Sequence, residues 1–225
     1  NNETGERLPV EEMFAGVKQK NPDVLVHCDC VQGFGKILFS LNRIKADMVT
    51  MSSHKIHGPK GCGAIYVREG VNLRPLCFGG SQESRVRPGT ENVPGIAAFG
   101  HASLNALRDI RENWEHVKEL NLYLRDCLRQ MEDVVINSPS GAVPYVLNIS
   151  VLPFATEDLL HEMRMRGIYL SGSSACEKGA RSHVIRAMGI EGPRADSVVR
   201  IGLGKKNTRE AVSYTHLTLP TTSRV

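Results

Sequence analysis

The sequence predicts an α/β fold with a mostly parallel sheet, followed by a smaller α+β domain. Three observations predict it. Apolar runs of strand length alternate with segments of helical spacing, which is the pattern of a parallel sheet covered by helices. Two of those runs end abruptly on polar clusters, Asp29 after Val24–Val26 and Ser53-His54-Lys55 after Met48–Met51. Beyond about residue 131 the elements shorten, strands and helices mix, and glycine- and serine-rich turns separate them.

The elements follow in order. Val10, Met13, Phe14 and Val17 recur at helical spacing, so a helix spans 9–20 and stops at Asn21-Pro22. A strand follows over 24–28 and another over 48–52. Gly58-Pro59-Lys60-Gly61 is a turn, and 62–67 is a strand that returns like a hairpin. The stretch from Gly79 to Thr90 lacks hydrophobic period and reads as loop. From Ile96 to Met131 the positions Leu107, Ile110, Trp114, Val117, Leu124 and Leu128 form a helical stripe, one long helix or two joined. Strands are expected at 146–151, 168–170 and 198–203. Helices are expected at 156–166, capped by Thr156-Glu157-Asp158, and at 182–188. Residues 1–95 are therefore read as part of one domain and 96–212 as the connecting helix and a small C-terminal domain. Residues 213–225 break the helical pattern begun at Asn207-Thr208 and are expected to be a foreign or artefactual tail, poorly packed.

Composition bounds the function. The chain has 225 residues, 41% of them hydrophobic, enough for a real core. Its 28 basic and 24 acidic residues are interspersed and leave a net charge of only +4, so no basic stripe points to nucleic acid. No apolar run is long enough to cross a bilayer and no signal-peptide pattern opens the chain, which predicts no membrane role and a cytoplasmic location. The six cysteines are scattered through hydrophobic pattern and do not read as a disulfide framework. Cys28-Asp29-Cys30 beside His27 raises the question of a metal. No second cysteine pair follows, so no metal site is expected and burial as small hydrophobes is the simpler reading.

The chemistry concentrates at the two strand ends, where ligands bind in open α/β sheets. A lysine at the end of a buried strand tends to lose its proton and become an amine nucleophile. An aldehyde cofactor, pyridoxal 5'-phosphate, needs such an amine for a Schiff base and an acid for its pyridine nitrogen. Lys55 and Asp29 supply that pair. Ser53 and His54 can bind the phosphate, and Gln32 the ring oxygen.

Taken together, Asp29-x-x-Gln32, Ser53-His54-Lys55-x-x-Gly-Pro-Lys-Gly61, Gly79-Gly80-Ser-Gln82-Glu83, Arg87-Pro-Gly-Thr90-Glu-Asn92 and Ser171-Gly-Ser-Ser-Ala-Cys176 resemble the cysteine desulfurases of the class-V aminotransferase superfamily. The resemblance runs from Asn1 to about Val212. It implies the C-terminal part of a fold-type I pyridoxal-phosphate transferase large domain plus the small domain, with the upstream half of the large domain absent. It implies Lys55, Cys176 and His54 as catalytic residues. Asn2, Asp29, Gln32, Ser53, His54, Lys55 and Thr90 would bind cofactor, Thr90 reaching the phosphate of a neighbouring subunit in a homodimer. Asn2 and Arg200 would bind substrate. The implied activity converts L-cysteine to L-alanine with a persulfide on Cys176, passed to a sulfur-acceptor protein for iron–sulfur cluster or thiocofactor synthesis. A selenocysteine lyase, an aminotransferase of the same superfamily, or an inactive truncated fragment are the alternatives. Among the cysteines, those in or beside strands (Cys28, Cys30, Cys62) are expected to have raised pKa values through burial, which favours Cys176 as the reactive thiol.

Overall fold

The computed structural model describes residues 1–172 and 182–220. It divides into two compact units, residues 9–110 and residues 1–8 with 111–225. Residues 1–8, expected in the first domain, group here with residues 111–225, and the other unit runs to residue 110 rather than 95.

In the unit formed by residues 9–110, α1 (Val10–Lys20) precedes β1 (His27–Asp29), α2 (Leu41–Ile44), β2 (Met48–Ser52), β3 (Gly63–Val67) and α3 (Val93–Arg108). The sheet runs β1-β2-β3, with β1 and β2 parallel and β3 antiparallel to β2. The hairpin-like return is thus present, and the first strand is shorter and later than the apolar run suggested. Leu25 and Val24 stay exposed because Val26 alone of that run is buried. One sheet face packs on Ile44, Ala46 and Val49, with Val10 and Phe14 of α1 against them. A buried carboxylate ties these parts together. Asp47 accepts from the Val26 amide at 2.7 Å, from Lys18 at 2.7 Å and from Arg68 at 2.7 Å. Burial pushes its carboxyl up, but the bonds from Lys18, Val26 and Arg68 outweigh that and bring it down to about 2.

The stripe from 96 to 131 resolves into two helices, α3 and α4 (Ile110–Leu128), separated at Asp109. In the second unit α4 is followed by β4 (Val134–Ile136), β5 (Val146–Val151), α5 (Thr156–Met165), α6 (His183–Ala187), α7 (Gly192–Asp196), β6 (Val198–Gly202) and α8 (Arg209–Thr218). The antiparallel sheet β4-β5-β6 has β5 at its centre. Alternation along β5 sends Leu147, Ile149 and Val151 into the main core with Val117, Leu124, Leu128, Leu159 and Met163. Trp114 packs at the edge of this core. Asn148 and Ser150 point the other way and are also fully buried.

That polar face is why residues 1–8 belong here. Asn148 donates to the Glu3 carbonyl at 3.2 Å, Ser138 to the Thr4 carbonyl at 2.7 Å, and Ser182 to the Glu3 carboxylate at 2.6 Å. Asn137 bonds both Asn148 and Ser150 at 2.9 Å and accepts from Arg194 at 2.7 Å. A satisfied buried network of this kind specifies one arrangement of the segment it holds.

Three local expectations are corrected. Thr156 does not cap α5; its hydroxyl donates to the Asp196 and Val198 carbonyls instead. Residues 168–170 form no strand, only a bridge from Ser171 to Arg200. The expected poorly packed tail is, as far as residue 220, ordered: α8 runs through Thr218, capped by Thr208, with Val212, Thr218 and Leu219 buried. Leu219 fills a core position that the sequence pattern did not reveal. Among the described residues no helix is long and apolar enough to cross a membrane.

Asp47 has a folded pKa below its unfolded value of about 4, so its contribution is complete above that value and is lost as pH falls through about 2. Asp47→Asn is expected to cost about 2 kcal/mol at pH 7. Urea denaturation of both proteins should show this difference at neutral pH and its disappearance between pH 4 and pH 2.

Candidate active site

Parallel pairing brings the carboxyl ends of β1 and β2 to one edge of the sheet. Asp29 is the last residue of β1 and lies opposite Thr50 of β2. It is exposed, and its carboxylate accepts from the Val31 amide at 2.9 Å, which turns the chain away after the strand. His27, on the same face, bonds the Thr50 hydroxyl at 3.2 Å.

β2 passes directly into a 3-10 turn, Ser53–Ile56, which carries Lys55. Lys55 is half-buried and His54 exposed, whereas Ser53 and Ile56 are buried. The hydrophobic pattern predicts the lysine at the end of a buried strand; it sits in the turn just beyond the strand, with part of its side chain open. His54 Nδ1 pairs with the Ser52 hydroxyl at 2.7 Å. The turn ends in left-handed backbone at His57, and Gly58 donates back to the Ser53 carbonyl.

Two glycines set how closely the surrounding chain can approach. A Cβ on Gly35 would lie 2.7 Å from Ile56 Cγ2 and 3.0 Å from Ala106 Cβ. At φ +69 this position also favours glycine. Gly35 therefore lets the loop after β1 press on the lysine turn and on α3. Gln32 lies in that loop, and Lys36 donates to its side-chain oxygen at 3.2 Å. Lysine only donates, so the Gln32 amide nitrogen is left to donate elsewhere. A Cβ on Gly58 would collide with the Ser53 hydroxyl and lie 3.2 Å from Ala102 of α3. Phe34 and Phe99 close the same region edge to face, with centroids 6.1 Å apart.

Ser53 Oγ is the buried side-chain polar atom without a hydrogen-bond partner among the described residues. Native proteins rarely leave such a group unpaired, so it calls for an acceptor or donor from outside the chain. A phosphate oxygen is a partner of the required kind. The strand end, loop and turn of the same sheet also supply the kinds of group that the rest of pyridoxal phosphate takes: an acid, an amide donor and an amine. These residues fit that cofactor.

Thr90 lies in the exposed loop before α3, where Arg87 donates to the Gly89 and Thr90 carbonyls at 3.1 and 3.4 Å. Asn92, the last residue of the Arg87–Asn92 motif, caps α3 by accepting from Gly95 at 3.2 Å and touches Cys62 at 3.6 Å. An Asn just before a Val-Pro helix start is a recognisable cap signal.

In the other unit Arg200 of β6 donates to the Asn2 carbonyl at 2.8 Å. Its backbone bonds Ser171, whose segment leads on to Cys176. The structure thus gathers Asn2, Arg200 and Ser171. Cys176 lies outside the described residues.

The expectation that strand cysteines have raised pKa values fails for Cys28. Its pKa falls to about 7 because the Cys30 thiol donates to it, overcoming burial and the nearby Asp29 charge; that of Cys30 rises for the same reason. Among the described residues no group of three His, Cys, Asp or Glu side chains is placed to hold a metal ion.

A half-buried lysine turn, an acid and an orphan hydroxyl thus lie at the carboxyl edge of the sheet. The chain belongs to the class-V aminotransferase family, whose model matches residues 1–214. Cysteine desulfurase IscS of Dictyoglomus turgidum is 35% identical over 219 residues, covering 96% of this chain and 55% of that protein. A cysteine desulfurase of Gluconacetobacter diazotrophicus is 40% identical over 216 residues, covering 92% of this chain and 52% of that protein. Among solved structures, a NifS-like protein superposes with a TM-score of 0.90 at 38% identity, covering 97% of this chain and 57% of that one. SspA in complex with cysteine superposes with a TM-score of 0.74 at 28% identity, covering 92% of this chain and 58% of that one. The chain spans about half the length of the curated relatives it matches.

Because the Gly58 Cβ position is already occupied, Gly58→Ala is expected to destabilise by about 1–3 kcal/mol. Gly100→Ala on α3, where nothing lies within 4 Å, is expected to be neutral or to stabilise by up to about 1 kcal/mol. Urea unfolding of the two variants checks the contrast.

Proposed function

We propose that the protein of which this chain forms part is a pyridoxal-phosphate-dependent cysteine desulfurase. The observation that carries the reading is the convergence of Asp29, Lys55 and the unpartnered Ser53 hydroxyl at one strand edge. Likeness to cysteine desulfurases over more than nine-tenths of the chain supports it.

Lys55 would hold the cofactor's aldehyde carbon, Asp29 its pyridine nitrogen, Gln32 its ring oxygen, and Ser53 with His54 its phosphate. Thr90 would complete the phosphate site of a neighbouring copy, which makes the working form a homodimer. When bound, the cofactor supplies an electron sink for charge at the substrate Cα. Arg200, held by the Asn2 carbonyl, presents a planar fork to the carboxylate of L-cysteine. Asn2 adds a polar contact beside it. Lys55 Nζ takes the Cα proton and returns one to the product. Cys176, as thiolate, attacks the substrate sulfur: the substrate C–S bond breaks, an S–S bond forms, and the hydrogens leave with alanine. L-cysteine and a thiol become L-alanine and a persulfide, with no external oxidant. A sulfur-acceptor protein then collects the terminal sulfur for iron–sulfur cluster or thiocofactor synthesis. The reducing cytoplasm, which keeps thiols free, suits such a carrier.

In the full-length protein, Cys176→Ser is expected to lower alanine release from L-cysteine by about a hundredfold or more. Mass spectrometry after cysteine treatment should place the extra sulfur on the Cys176 peptide. Sulfur on Cys77, or undiminished turnover in the serine variant, would overturn the reading.

A further inference from the structure

The two cysteines that bracket Asp29 form a pair that neither the fold nor the proposed reaction requires. Residues two apart on a strand share a face, and Cys28 and Cys30 both pack on the cluster of Ile44, Ala46 and Val49, opposite the face that carries Asp29. Their sulfurs lie 3.4 Å apart, with Cys30 donating to Cys28. Both are free and only half-buried. We propose that Cys28 and Cys30 form a redox-reactive dithiol, a modification site for small-molecule disulfides that ends in an intramolecular disulfide at the end of β1.

Geometry permits the closure. The sulfurs must approach by about 1.4 Å to reach a bonded length of about 2.0 Å. Two extended residues separate Cα atoms by about 6.6 Å, near the upper limit of about 6.8 Å for a disulfide. Cys30 is the first residue past β1: its amide still donates to the Thr50 carbonyl at 3.0 Å, while its carbonyl accepts from Gly33 and Phe34 in the following turn, so closure must draw the Cys30 side chain toward Cys28 against one ladder bond. Chemistry supplies the nucleophile. The first proton leaves the pair easily because the remaining thiol donates to the thiolate, which takes Cys28 to about 7.

The step balances. Cys28 thiolate attacks one sulfur of the small disulfide, forming a mixed disulfide and expelling one thiolate. Cys30 loses its proton, attacks Cys28 Sγ and expels the second. The protein gives up two electrons and two protons, and the small disulfide becomes two thiols. Near the strained end of the allowed span, the bond is readily reversed by thiols.

The test uses oxidised glutathione on the native protein, followed by alkylation, digestion with trypsin and mass spectrometry. Cys28 and Cys30 share the tryptic peptide 21–36, which contains no other cysteine. The expected result is that this peptide loses two hydrogens, resists alkylation, and regains two alkylation sites after dithiothreitol. Cys30→Ala should instead leave a glutathione adduct on Cys28, and should slow alkylation of Cys28 about tenfold near neutral pH as its pKa returns to the ordinary range. Two alkylated thiols in the treated wild-type peptide, a mixed disulfide that persists there, or a disulfide from this peptide to Cys62 or Cys127 would each overturn the proposal. All readouts are covalent masses, so they stand or fall apart from the desulfurase reading.

Discussion

The site depends on a three-residue parallel pairing. His27, Cys28 and Asp29 lie against Met48, Val49 and Thr50, and this register puts the end of β1 beside the end of β2. A slip by one residue would turn Asp29 into the cluster of Ile44, Ala46 and Val49 and expose Cys28 in its place. Asp47 holds the register from the other end, since its carboxylate takes the Val26 amide just before β1 and its backbone continues into β2. The sheet can therefore be short and still place an acid and a lysine at one edge.

Packing against that edge is governed by glycine. Gly35 and Gly58 allow the Gln32 loop, the Lys55 turn and α3 to meet at distances that a Cβ would forbid. The cost falls on Ser53, whose hydroxyl is enclosed without a partner. Among the described residues no other buried side-chain polar atom lacks a partner, which is why the proposed reading gives this hydroxyl to a ligand.

Much of this was legible from residues alone. The spans of α1, β2 and β5 follow from hydrophobic period, and the polar clusters at strand ends pointed to the edge that carries Asp29 and Lys55. Other features were hidden because they depend on tertiary contacts. Nothing local announces that residues 1–8 cover the polar face of β5, since Glu3 and Thr4 read as surface until Asn148, Ser138 and Ser182 are placed around them. Nor does the stretch after Val212 look helical by composition; Leu219 finds a core position that only the fold supplies. The cysteine pair is hidden for a similar reason: burial alone raises a thiol pKa, whereas the fold brings the Cys30 thiol to 3.4 Å from Cys28, where it lowers the pKa of that group.

In the proposed function the turn after β2 presents one amine, Lys55, to pyridoxal phosphate. The most direct measurement is borohydride reduction of the full-length protein loaded with that cofactor, followed by peptide mapping of the fixed label. Reduction should abolish the visible absorbance band and leave a pyridoxyl group on Lys55. A label on Lys60, or no visible band and no covalent label at all, would contradict it.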